Sequence, residues 1–265
     1  MLKNYKLIIR YDGTRYKGWE HQPGEEMTIQ GKLETAVIRM LNPSGVKEDA
    51  ADSLGSFEGK IPEIISAGRT DAGVSAEAMC ANVRLDTVLD CRGIRDGLNR
   101  NLPDDICVVS VEEVSDRFHA RYNATGKTYR YTCYAGELKP VFDRKLCYEL
   151  GSMPDIAAMK KAAGYLIGEH DFTSFCGNPR MKKSCVRCVD SIKIEYADER
   201  LTFTYHGTGF LQYMVRIMTG TLLEVGLGKK DPDSIPAILD AKNRSEAGFT
   251  APARGLRLVC VDYEQ

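Results

Sequence analysis

Gly68-Arg69-Thr70-Asp71-Ala72-Gly73-Val74 sits between two apolar runs, Glu63-Ile64-Ile65-Ser66-Ala67 before it and Met79 to Leu85 after it. Both runs read as strands, so the stretch predicts a β-turn-β unit with one carboxylate at its apex. Taken alone, an Asp in a Gly-flanked turn bonds its own backbone. A polar Arg-Thr-Asp triplet between apolar strands is also how a fold exposes a working side chain on a rigid frame.

Outward from this turn, Tyr5–Tyr11 reads as a strand ending at Asp12-Gly13, and Thr28 caps a predicted helix running to Leu41. Residues 46–60 are acidic, small and irregular and read as a surface loop. Cys91–Asn101 reads as a helix and Ile106–Val111 as a strand, which completes the split order β-α-β-β-α-β. The second half repeats this order at greater length. Thr128–Tyr134 is a strand with Tyr129, Tyr131 and Cys133 on one face, and Pro154–Ile167 is a helix closed by Gly168. Val186–Tyr196 and Leu201–His206 pair across Asp198-Glu199-Arg200. Phe210–Val225 is a long, buried helix, Asp233–Ala241 a shorter one, and Leu256–Tyr263 the last strand. The expected architecture is therefore α+β: two ferredoxin-like halves, 1–113 and 114–265, with strands in a mixed or antiparallel sheet flanked by helices.

The chain has 265 residues, 43% of them apolar, which suits a protein with a sizeable core. Lys and Arg number 36 against 37 Asp and Glu, a net charge of -1. The sum is not that of a strongly basic nucleic-acid binder. The charges are unevenly spread, however, with cations crowded in 92–100, 117–130 and 180–193, so a basic face is compatible with the total. Nine cysteines without regular spacing argue against a disulfide framework. With no signal-peptide pattern and no apolar run near the ~20 residues of a membrane span, the expectation is a reduced, cytoplasmic protein with no membrane segment. Cys80, Cys107, Cys133 and Cys260 fall in strand-like runs and are expected in the core. Cys185 and Cys188 form a lone C-x-x-C on a strand, where residues three apart point to opposite faces, so no metal site is expected.

The motifs resemble a known family. Gly68–Val74 resembles the signature of the TruA-type tRNA pseudouridine synthases. Further segments are similar in the same order: Tyr11-Asp12-Gly13-Thr14 with Gly18-Trp19, Asn101-Leu102-Pro103, Phe118-His119-Ala120-Arg121, and Lys127-Thr128-Tyr129-Arg130-Tyr131. After them come Gly168 to Phe175, Met214-Val215-Arg216, Glu224-Val225-Gly226 and Gly255-Leu256. The resemblance covers nearly the whole chain. It departs at Ser75, where family members commonly carry His, and at the acidic stretch 46–60, which has the look of an insertion.

The resemblance implies the pseudouridine synthase fold and isomerisation of uridine to pseudouridine in the anticodon stem-loop of tRNA, at positions 38, 39 and 40. It implies a homodimer, base flipping and no cofactor or metal. It makes Asp71 the catalytic carboxylate, with three routes open: attack on C1′, attack on C6, or removal of the 2′-hydrogen. Arg216 is implied as the cation paired with Asp71, and Tyr129 as the ring that stacks on the flipped uracil. Arg69 is expected either to contact RNA phosphate or to brace the turn, and Arg121 and Arg130 are further candidates for the RNA groove. The competing readings are a non-catalytic RNA-binding or RNA-folding protein on the same scaffold, a synthase with another RNA target, and a metal-dependent hydrolase built on the cysteines.

Overall fold

Tyr5, Leu7, Ile9 and Tyr11 alternate as buried residues along the first strand, β1 (Lys3–Tyr11), and this period of two fixes which face meets the core. The computed structural model describes residues 1–22, 24–42 and 62–264; the acidic stretch 46–60 lies outside them. The chain divides into two units, Met1–Ala124 with Tyr263–Gln265, and Thr125–Asp262.

In the first unit, β1 is followed by α1 (Ile29–Leu41), β2 (Ile65–Ser66), β3 (Ser75–Leu85), α2 (Cys91–Asn101) and β4 (Ile106–Val114). The strand order is β4-β1-β3, with β2 on β3, all antiparallel. This is the split arrangement expected from the element order. Each helix starts at a side-chain cap. Thr28 Oγ1 accepts from the Gly31 amide at 3.2 Å, and Asp90 Oδ1 from the Gly93 amide at 2.7 Å. Such a cap stabilises a helix by ~1 kcal/mol. The buried stripe Ile29, Leu33, Val37 and Met40 faces inward, and α1 packs on α2, whose buried residues are Ile94 and Leu98.

The second unit repeats the plan. β5 (Ala124–Tyr134) leads through β6 (Tyr148–Glu149) to α3 (Ile156–Gly164), β7 (Gly168–Asp171), β8 (Val186–Ala197) and β9 (Arg200–Gly207). Then come α4 (Met214–Gly226), α5 (Ile235–Ala241) and β10 (Leu256–Tyr263). The order β10-β5-β9-β8-β7 places the strands as in the first unit, with β7 added at the end and β6 parallel to β5. Both units are thus α+β, with antiparallel ladders predominating. The β8–β9 hairpin turns on Asp198 and Glu199, both with positive φ (50° and 60°), between the paired Ala197 and Arg200. Two positive φ values give the turn whose twist matches that of paired strands.

Three expectations need correction. The helix placed at 154–167 ends at Gly164, and Gly168 opens β7 instead of closing the helix. A tight turn, Leu166 N–H to Ala163 O at 3.1 Å, ends it first. The helix placed at 210–225 begins only at Met214. Tyr213 takes a left-handed φ of 60°, which no continuing right-handed helix tolerates. Finally, Cys80 and Cys133 are buried, but Cys107 is exposed and Cys260 only half-buried. Along β4 the odd face turns outward, so membership of a strand did not place Cys107 in the core.

Candidate active site

The Asp71 turn rests on the loop that follows β1. The amide of Trp19 donates to the Thr70 carbonyl at 3.0 Å, and the Gly73 amide to the Tyr16 carbonyl at 3.1 Å. The turn is closed on itself by the Val74 amide donating to Asp71 O at 3.1 Å. Below it, the Tyr11 and Thr70 hydroxyls bond at 2.8 Å within the core. Tyr16 and Trp19 are each 2% exposed. At ~25 cal/mol/Å², burying an aromatic side chain of 150–250 Å² contributes roughly 4–6 kcal/mol, so two such rings anchor the loop firmly. Gly18 is required by its position. Its φ is +106°, and a Cβ there would lie 2.8 Å from the Thr70 carbonyl oxygen.

Asp71 itself is half-buried, between buried Thr70 and exposed Ala72. Its neighbour Arg69 is mostly exposed and forms an ion pair with Glu20, which ties the turn to the loop beneath it. Ser75, at the start of β3, accepts a bond from the Gly13 amide through Oγ at 3.0 Å. A second anchor lies at Asp105. Arg15 and Tyr16 both bond its carboxylate, Tyr16 at 2.6 Å. Burial opposes ionisation of Asp105, but the Arg15 and Tyr16 bonds outweigh it and hold its pKa below the usual value. Burial and the bond to Asp105 together push the Tyr16 phenol up to about 12.

The second unit presents Tyr129 and Arg216. Tyr129 is half-buried on β5, directly opposite Tyr205 of β9, and the edge of its ring meets Phe210 at 5.3 Å with planes at 84°. This contact sets the ring plane. Arg216 lies in the first turn of α4. Its Nε donates to the Ala251 carbonyl at 2.7 Å, and its guanidinium sits 4.9 Å from the Tyr213 ring centre. A guanidinium over an aromatic face is held by the ring quadrupole. The left-handed Tyr213 places that ring beneath Arg216, so the strained residue has a visible product.

The carbonyl that holds Arg216 is itself held by α4. The Gly248 amide donates to Thr221 Oγ1 at 2.8 Å and the Phe249 amide to Glu224 Oε1 at 3.1 Å. At Gly220 the approach is closest, since a Cβ there would lie 1.8 Å from the Phe249 carbonyl oxygen. The segment 247–252 was not singled out from sequence. Nor was the bracing role of Tyr16, Gly18 and Trp19, although Gly18-Trp19 lay within a recognised motif. The available signal was a dense set of Gly and aromatic residues in a segment with no helix or strand period. Among the described residues, no group of three His, Cys, Asp or Glu side chains is placed to hold a metal ion.

The sequence comparisons with known proteins agree with one another. A family profile described as tRNA pseudouridine synthase matches residues 162–264. Over 262 residues the chain is 42% identical to tRNA pseudouridine synthase A of Bacillus sp. (strain KSM-64), covering 99% of this chain and 100% of that relative. It is 39% identical, over the same shares, to tRNA pseudouridine synthase A of Acetivibrio thermocellus. The chain belongs to the tRNA pseudouridine synthase A family. Among solved structures, one of a Cbf5-Nop10-Gar1 complex is 12% identical and covers 75% of this chain and 40% of that one, with a TM-score of 0.32. That likeness is too slight to bear on the fold.

Proposed function

We propose that this protein is an isomerase that converts uridine to pseudouridine in tRNA, with Asp71 as its catalytic carboxylate. The reading is carried by whole-length membership of the family together with a carboxylate on a turn fixed from below by Tyr11, Tyr16 and Trp19. A preorganised group on a rigid frame is what a positioned nucleophile or base requires.

The reaction rearranges bonds without redox change. The glycosidic bond at N1 breaks, the uracil turns, C5 bonds to C1′, and the C5 proton is lost while N1 gains one. No external electron donor, acceptor or energy source enters this balance. The target base has to leave its stack at a cost of a few kcal/mol, so the site needs a stacking surface and cations. Tyr129 supplies the surface, Arg216 and Arg69 the positive charge. Arg216 acts as the cation that keeps the reacting carboxylate ionised.

The substrate is the anticodon stem-loop, at uridines 38, 39 and 40, and the working form is a cytoplasmic homodimer. The division of labour follows the two halves, the first bringing the carboxylate and the second the tyrosine and arginine. Mapping pseudouridine in an unmodified tRNA transcript after incubation with the purified protein tests the whole reading. Pseudouridine at these positions supports it, and a transcript left unmodified by folded, tRNA-binding protein rejects it.

A further inference from the structure

The loop between β4 and β5, residues 115–123, is fixed by polar side chains from the core of the first unit. Asn4 of β1 is 1% exposed, and its Nδ2 donates to the carbonyls of Ser115 at 3.0 Å and Phe118 at 2.9 Å. Asn82 of β3 is 4% exposed; it donates to Asn4 Oδ1 at 3.0 Å and accepts from the Ala120 amide at 2.9 Å. The Tyr263 hydroxyl donates to the Ala120 carbonyl at 2.7 Å, and the Tyr263 ring packs on Phe118 at 5.3 Å. Two buried amides are costly in a core unless fully bonded, and here their bonds go to one another and to this loop.

What the anchored loop holds outward is one ring and two cations. Tyr122 is 79% exposed, and Arg121, next to it in the chain, and Arg117 of the same loop are exposed as well. Tyr122 does not wave freely. Its ring lies on the His119 ring, centres 4.2 Å apart and planes at 33°. His119 is fixed in turn: its Nδ1 accepts from the amides of Arg121 at 3.1 Å and Tyr122 at 3.3 Å, and its own amide donates to Asn123 Oδ1 at 2.7 Å. A ring whose inner face is already stacked and whose outer face meets water has lost its rotamer entropy before any partner arrives.

We infer that the Tyr122 face, with Arg121 and Arg117, is a second RNA-binding site that stacks an unpaired nucleobase of the tRNA and binds the adjoining phosphate. A flat preordered ring in a loop that also carries two exposed guanidinium groups matches the two faces of a single-stranded nucleotide, its π surface and its anion. The inference rests on the tRNA reading above for the identity of its partner. The residues are remote in role from the reacting carboxylate, and they bind and position the RNA.

The test measures binding and chemistry separately on the same proteins. Affinity for an unmodified tRNA transcript is read by filter binding, and turnover by release of tritium from C5-labelled uridine. Tyr122→Ala is expected to weaken tRNA binding about tenfold, within the usual range for one stacked base, with KM rising more than kcat falls. Tyr122→Phe retains wild-type binding, because the π face remains. Arg121→Ala weakens binding and lowers the salt slope by about one unit. Wild-type affinity in both Tyr122→Ala and Tyr122→Leu, with melting temperatures unchanged, overturns the proposal. So does a change of oligomeric state in Tyr122→Ala without loss of tRNA affinity, which would make the face a protein contact. If the wild-type protein binds tRNA but releases no tritium, the catalytic reading fails while the binding comparison still decides this one.

Discussion

The Tyr11 hydroxyl and the Thr70 hydroxyl meet at 2.8 Å in the core, directly before the residue that carries the proposed catalytic carboxylate. The bond joins the end of β1 to the turn 59 residues later. A buried hydroxyl pair of this kind contributes about 0.5–1.5 kcal/mol net, and more is lost when one partner is stranded. Thr70→Val is therefore expected to destabilise the protein by ~1–2 kcal/mol. A thermal-melt double-mutant cycle with Tyr11→Phe checks it; strict additivity would mean the bond contributes nothing.

Asp71→Asn preserves the shape of the turn and removes the charge. Pseudouridine formation is expected to fall below detection while tRNA affinity stays within about threefold of wild type, since one neutralised carboxylate changes little in a phosphate-dominated interface. Turnover by the variant within tenfold of wild type would exclude Asp71 as the catalytic group.

The proposed support of Asp71 by Arg216 is separable from the observed bond of Arg216 to Ala251. Arg216→Ala removes both, and Arg216→Lys returns only the charge. If the proposed pairing holds, the cation lowers the carboxylate pKa, so its loss moves the acid limb of the pH–rate profile to higher pH. Arg216→Ala is expected to show that shift with a steep fall in turnover, and Arg216→Lys to restore the position of the limb more than the rate. Identical pH profiles for wild type and alanine variant would remove Arg216 from the carboxylate's support.

Gly220→Ala tests the helix that carries Arg216. Its Cβ would lie 1.8 Å from the Phe249 carbonyl oxygen, so α4 and the 247–252 segment must separate. Overpacking of this kind costs about 1–3 kcal/mol or more. The melting temperature falls, and because the Ala251 carbonyl moves with the segment, kcat/KM is expected to fall beyond what the unfolded fraction accounts for.

Asp105 gives a pH dependence of known sign. Its folded pKa lies below the ordinary 3.8 because the Arg15 and Tyr16 bonds overcome burial. A depressed carboxylate stabilises the fold fully above the unfolded value and loses that contribution as pH falls through the folded one. Asp105→Asn should thus lower stability at neutral pH, and the gap from wild type should narrow below about pH 3.8. A constant gap across the acid range, read by urea midpoints, would contradict the ion-pair account.

Local signals decided much of the secondary structure. Cys91–Asn101 and Leu256–Tyr263 were legible to the residue, because Leu102-Pro103 stops the first and an apolar strand run defines the second. The start of α4 was not legible. Phe210 and Leu211 continue its apolar pattern, and only the left-handed Tyr213 stops the helix there. The outward face of Cys107 was hidden for a related reason: its neighbours give the strand period but not which side is covered.

The amino-acid order alone determined the α+β class, the carboxylate in a glycine-flanked turn and the family to which the chain belongs. Tertiary structure decided what stands under that turn, which carbonyl holds Arg216 and which buried amides anchor Tyr122. Each of these joins residues far apart in the chain, such as Tyr11 with Thr70, Arg216 with Ala251 and Asn4 with Ser115. Periodicity and capping report forces between near neighbours, whereas such pairings exist only once packing has brought distant backbone and side chains together.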